Sequence, residues 1–213
     1  MATYDLDEQE RLDELKAWWK RWGSVALFGL AVVIAAVAGW RYWQNQTVTQ
    51  SLEAATVYEK LTQSLAANDT KAARDAGALL VDQYKRTAYA PRAALLLAKL
   101  HVDAKDAKSA QIQLEWAVSH SKEPALRDLA RLRLAAVQLD QKAYDAALKT
   151  LSATHSDAFA PRFDDLRGDV LLAQGKTAEA RTAYQTAFGK MGEDNPYRNI
   201  VELKLDALGG DTK

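Results

Sequence analysis

The sequence predicts an all-α protein in which a single N-terminal transmembrane helix is followed by a solenoid of helical repeats. Three observations predict it. Residues 23–40, GSVALFGLAVVIAAVAGW, carry no charged side chain and one polar one, Ser24. The four prolines, Pro91, Pro124, Pro161 and Pro196, are spaced by 33, 37 and 35 residues. Alanine and leucine are abundant while glycine (10) and proline (4) are scarce, a composition that favours helix.

The first element is an amino tail, residues 1–22. Asp5, Asp7, Glu8, Glu10, Asp13 and Glu14 make its start acidic. Leu12, Leu15, Trp19 and Trp22 then recur at helical spacing and form one apolar stripe. The tail reads as a short amphipathic helix, either a docking element or a solvated cap with a membrane-hugging base.

The second element is a membrane span over residues 23–43. Its apolar core, at ~1.5 Å per residue, covers roughly the hydrocarbon thickness of a bilayer. Trp18, Trp19 and Trp22 flank one end and Trp40, Tyr42 and Trp43 the other. Such rings favour the headgroup level, so these six are the expected membrane-interface residues. Arg11, Lys16, Lys20 and Arg21 precede the span, and Arg41 alone follows it before Lys60. The excess places the N-terminus in the cytoplasm and the rest across the membrane, which in a Gram-negative cell is the periplasm. A buried core helix and a cleaved signal sequence are the alternatives. Ala36-Val37-Ala38 has the form of a cleavage site, but the run is longer than the usual 7–15 residues of a signal core. The expected setting is therefore a single-pass protein of the bacterial inner membrane.

The third element is a repeat domain over residues 44–213. Proline is tolerated in the first helical turn and disfavoured beyond it, so each proline can mark a helix start. A period near 34 is that of a helix–turn–helix repeat. Ala98, Ala135 and Gly168 align as the small residue of a first helix. Ala110, Ala147 and Ala180 follow twelve residues later, then Leu114, Leu151 and Tyr184, then Ala117, Thr154 and Ala187. Asp165 to Ala187, DLRGDVLLAQGKTAEARTAYQTA, is the clearest unit and has the tetratricopeptide pattern. In it Gly175 closes the first helix and Thr177 caps the second. Leu61 and Ala73 open a weaker unit, in which Gly77 stands where a large residue is expected. Ile200, Leu203, Leu205 and Leu208 give a closing helix its apolar side, and Gly209-Gly210 stop it. Between Trp40 and Gly77 there is neither proline nor glycine, so the span is expected to pass into the first repeat as one rod.

Stacked repeats present an extended concave face that takes peptides or partner helices. The pattern assigns this partner-binding groove to Arg92, Leu95, Lys99 and Val102 from one repeat. The next contributes Leu129, Leu132, Ala136 and Leu139, and the third Arg162, Asp165, Asp169 and Leu172. The middle set is apolar and suits a hydrophobic segment; equally, Leu132 and Leu139 can pack on neighbouring helices.

The remaining composition excludes several function classes. Lys plus Arg and Asp plus Glu are 28 each, which gives no electrostatic case for nucleic acid. Cysteine is absent, so a domain outside the cytosol relies on packing alone. His101, His120 and His155 stand in no metal-binding or catalytic motif, and no phosphate- or dinucleotide-binding loop is present. The expectation is a protein without enzymatic activity, cofactor or metal.

The span ending in Gly39-Trp40-Arg41-Tyr42-Trp43 resembles that of the bacterial YfgM proteins. LRLAAVQLDQKAYDAALKTL, from Leu132 to Leu151, and DLRGDVLLAQGKTAEAR, from Asp165 to Arg181, resemble the same family. The resemblance covers nearly the whole chain and is weakest in the amino tail and the last twenty residues. It implies an ancillary subunit of the SecYEG translocon that pairs with a membrane-anchored periplasmic chaperone of the prolyl-isomerase type. It also implies a hand-over of translocated proteins to periplasmic chaperones, and a link to a cytoplasmic response regulator. A scaffold for cell-envelope or division complexes would use the same groove.

Overall fold

The computed structural model describes residues 3–209, with residues 3–11, Asp13, Ala26, Tyr42 and Asn45 described as backbone alone. The side chains of Asp5, Asp7, Glu8, Glu10, Arg11, Asp13 and Tyr42, and residue Gly210, therefore lie outside the described residues. Every regular element among them is an α-helix: α1 (Thr3–Ala66), α2 (Thr70–Gln83), α3 (Tyr89–Asp103), α4 (Ala107–His120), α5 (Pro124–Asp140), α6 (Tyr144–Leu151), α7 (Ala160–Ala173), α8 (Thr177–Lys190) and α9 (Arg198–Ala207).

The chain divides into two units between Thr49 and Gln50. In the first, α1 is long and apolar enough to cross a membrane, and is the one such helix among the described residues. Its large apolar side chains point outward: Phe28 is 72 % exposed, Trp40 68 % and Trp43 63 %, and Trp18, Trp19 and Trp22 are also exposed. The Trp19 ring covers Gly23. Such outward-facing apolar side chains along this stretch of α1 suit lipid rather than water.

The second unit starts with the last turns of α1 and stacks the remaining helices in order. Its core consists of four clusters, each built from a helix pair and the helix that follows it. Ala54 and Leu61 of α1 pack with Ala73 and Leu80 of α2 and with Leu97 of α3. Leu95 of α3 packs with Leu114 of α4 and Leu134 of α5. Ala135 of α5 meets Leu151 of α6 and Phe163 of α7. Leu171 of α7 meets Tyr184 of α8 and Val201 of α9. The small-residue register explains this stacking. Ala110, Ala147 and Ala180 are fully buried and let the paired helices approach closely.

Gly77 does not break this logic. A Cβ there would lie 2.6 Å from Cδ2 of Leu97, so the bulk missing from α2 is supplied by α3. Two local expectations need correction. Thr154 is exposed because α6 stops at Leu151, and its carbonyl accepts a hydrogen bond from Arg131 instead. Thr177 is the first residue of α8; Lys176 occupies the cap and makes no side-chain hydrogen bond to the helix. Asp69 and Asp106 do cap, accepting from the N–H of Ala72 and Ser109. Hydrogen bonding from Ser109 holds the Asp106 carboxyl below the ordinary aspartate range.

A repeat signal hides in the hairpin turns. Asn68, Lys105, Lys142 and Gly175 all adopt positive φ, at 57°, 59°, 58° and 78°. Each N–H bonds the carbonyl three residues back, and the next N–H bonds the carbonyl five back, as in Lys142 to Leu139 and Ala143 to Gln138. This closure satisfies the last carbonyls of a helix and favours glycine. Lys142→Gly is therefore expected to stabilise the chain, and Gly175→Ala to destabilise it, each by about 1 kcal/mol. Urea denaturation of the whole chain, followed by helical circular dichroism, checks both signs.

Candidate functional site

A cavity of about 460 Å³ opens between α5 and α7, just before α9. Its apolar wall is formed by Leu129, Leu132 and Ala136 of α5, Leu166 of α7, and Phe159. Its polar wall is formed by Arg133, Arg162, Asp165 and Asp169, with Tyr197 closing one end. The guanidinium of Arg162 lies 3.6 Å from the centre of the Tyr197 ring. This joins α7 to the segment before α9 by a cation–π contact.

The acidic side chains are fixed from behind. Lys204 of α9 donates to Asp165 Oδ1 at 2.7 Å and reaches Asp169 at 2.7–2.9 Å. The Tyr184 hydroxyl donates to Asp169 at 2.7 Å. Burial, then the Asp169 hydrogen bond, pushes the Tyr184 hydroxyl far above its ordinary range. Burial also raises the Asp165 carboxyl, against the opposing pull of Lys204. Arg181 further ties α8 to the end of α9 through the Leu208 carbonyl.

The raised Asp165 carboxyl sets a pH dependence. The folded chain holds this proton more tightly than the unfolded chain, so the favourable contribution is present at low pH and is lost as pH rises through the folded value. Relative to wild type, Asp165→Asn is therefore expected to gain stability as pH rises from about 4 to 7. Paired denaturation curves at the two pH values read the difference.

Six of the twelve groove residues read from sequence line this one cavity: Leu129, Leu132, Ala136, Arg162, Asp165 and Asp169. The others are dispersed. Arg92 lines a second cavity, where it pairs with Glu123 at 2.7 Å. Lys99 lines a third, where it pairs with Asp103 at 2.7 Å. Val102 and Leu172 are exposed, and Leu139 packs against the α5–α7 core. Leu95 is only 4 % exposed, because α5 covers it with Ala130 and Leu134. Tyr197 was missed, although it follows Pro196 as Arg162 follows Pro161 and Arg92 follows Pro91.

The histidines are engaged locally. His101 faces Asp106 at 3.5 Å, His120 stacks on Trp116, and His155 packs on Phe163. Among the described residues no cluster of three or more histidines and carboxylates could hold a metal. What the geometry offers is a partly apolar recess with charges at its edge, which suits recognition of a peptide or helix.

Residues 16–210 match the family model of a tetratricopeptide repeat-like domain. A Neisseria gonorrhoeae protein named ancillary SecYEG translocon subunit is 34 % identical over 210 residues, 98 % of this chain and 100 % of the relative. The chain belongs to the YfgM family. Relatives of the same name from Haemophilus influenzae and Escherichia coli are 30 % and 28 % identical, over 97 % and 98 % of this chain and 100 % and 99 % of their own length. The YfgM likeness thus extends through α1 as well as the repeats. It is a likeness to translocon ancillary subunits with repeat domains, a non-catalytic kind of protein.

Proposed function

We propose that this chain is a membrane-anchored, non-catalytic adaptor of the SecYEG translocon. Residues 1–22 form its cytoplasmic tail and residues 23–43 its inner-membrane anchor, with residues 44–213 as its periplasmic repeat domain. Trp18, Trp19, Trp22, Trp40, Tyr42 and Trp43 seat the anchor at the two headgroup levels. The cavity between α5 and α7 receives a membrane-anchored periplasmic chaperone of the prolyl-isomerase type, and the pair helps pass translocated proteins to periplasmic chaperones. The acidic tail meets a cytoplasmic response regulator.

One observation carries this reading. The chain matches proteins named ancillary SecYEG translocon subunit from end to end, with the apolar helix included. A soluble repeat module would share the repeats alone. The cavity adds a place for a partner, since Leu129 and Leu132 offer apolar surface that the core leaves half-buried.

A photoreactive residue at Leu132, in the full chain in its own membrane, tests the reading. The expected products are crosslinks to a translocon subunit or to a membrane-anchored chaperone. Crosslinks to cell-wall or division proteins alone would replace the adaptor with an envelope scaffold.

A further inference from the structure

A concentration of positive charge in the second unit lies away from the groove. A cavity of about 270 Å³ opens between the turn joining α2 to α3 and the turn joining α4 to α5. Lys85, Arg86, Arg92, Lys122 and His120 line it, and Glu123 is the one carboxylate among the lining residues. Glu123 is already taken by Arg92, at 2.7 Å. Lys85, Arg86 and Lys122 thus bring three further positive charges to one recess of a chain whose formal net charge is zero. Like charges gathered this closely repel one another unless an anion joins them.

The walls suit such an anion. Pro91 of α3 and Leu126 of α5 bring the first turns of two helices to the recess. Neither helix has a side-chain cap, whereas Asp69 and Asp106 cap α2 and α4. Uncapped first turns carry partial positive charge that adds to the side chains. His120 is held in place by stacking on Trp116, with ring centres 4.1 Å apart.

The recess lies where the chain enters the repeat unit. Tyr84, which immediately precedes Lys85, donates a hydrogen bond to Glu53 at 3.3 Å. Glu53 follows Trp43 by ten residues, and no conformation stretches that length beyond about 35 Å. We propose that this recess binds a phosphate group, supplied by the headgroup of an anionic phospholipid. Lys85 and Lys122 hold the phosphate oxygens as point charges, and Arg86 adds a planar donor pair, while Arg92 stays bound to Glu123 and the Ala88 carbonyl. The choice of lipid as source rests on the membrane anchoring proposed above; the phosphate chemistry does not.

Hydrogen exchange of the full chain in lipid nanodiscs tests this. The probes are discs of phosphatidylcholine, the same discs with added inorganic phosphate, and discs containing phosphatidylglycerol. The variant is Lys85→Gln/Arg86→Gln/Lys122→Gln, whose three positions are exposed, so the fold is retained. In phosphatidylglycerol discs the backbone of residues 84–92 and 120–127 is expected to exchange about tenfold more slowly than in phosphatidylcholine, as for a ligand near ten times its Kd. The triple variant is expected to lose that protection. Protection by inorganic phosphate alone would support the site with free phosphate as its source. Equal exchange in all three conditions, or protection that survives in the variant, would overturn it. A chain that fails to enter discs would sink the anchoring, while the phosphate arm, run in detergent, would still read the recess.

Discussion

Gly168→Ala is expected to destabilise the chain by about 3 kcal/mol, the upper end for overpacking a core. A Cβ at this position would reach within 2.8 Å of Cζ of Tyr184, and closer still to Cε1 and Cδ1. The ring cannot retreat, because it is 1 % exposed and surrounded by the α7–α9 core. Its hydroxyl is also pinned to Asp169 at 2.7 Å. A shift of Tyr184 would therefore disturb the Lys204 bridge that holds α9 and the polar wall of the cavity. Urea denaturation of the whole chain gives the size of the loss. Repeating the substitution in a Tyr184→Leu background isolates the clash, since a smaller side chain leaves room and the cost of Gly168→Ala should fall to well under half. An equal cost in both backgrounds would place the effect elsewhere.

Asp128→Ala is expected to cost about 3–5 kcal/mol, as when one member of a buried ion pair is removed. Asp128 is 2 % exposed and accepts from Arg131 at 3.2 Å, and from both the N–H and the hydroxyl of Ser156 at 3.0 Å. These contacts fasten α5 to the segment between α6 and α7. Removing the carboxylate leaves the Arg131 charge partly buried and cuts both links to Ser156. Asp164 repeats the arrangement one unit on, with Arg167 at 3.2 Å and Lys190 at 2.7 Å. Its partners are more exposed, at 36 % and 48 %, so water can replace part of what Asp164→Ala removes. That loss should be the smaller of the two, about 1–3 kcal/mol. Denaturation curves for the two variants give the order; a larger loss at Asp164 would contradict it.

The helix pairs were legible because close packing constrains residue size. Ala98, Ala135 and Gly168 mark first helices, and Ala110, Ala147 and Ala180 mark second helices, because the alanines are buried where helices pack closely and a Cβ at Gly168 would strike Tyr184. Other features leave no such mark. Lys105 and Lys142 take the left-handed turn conformation that sequence analysis assigns to glycine, so their turns look ordinary in the sequence. Asp128 and Asp164 look like surface charges until the segment around Ser156, or Lys190, is seen to cover them. The lining of the cavity between α5 and α7 was half legible for a related reason. A helical register tells which residues share a face, but not how far the next helix reaches across it. Leu95 lies under α5, while Tyr197, outside the helical stretches used to draw the groove, closes the cavity.

The interlocking of the four core clusters has a consequence for how such a chain can change in length. Every cluster borrows the helix that follows its pair, so no hairpin is self-sufficient. A deletion that ends inside a hairpin strips two neighbouring clusters at once, whereas excision of one whole period rejoins matching surfaces. Growth and shrinkage are therefore quantised in steps of about 34 residues.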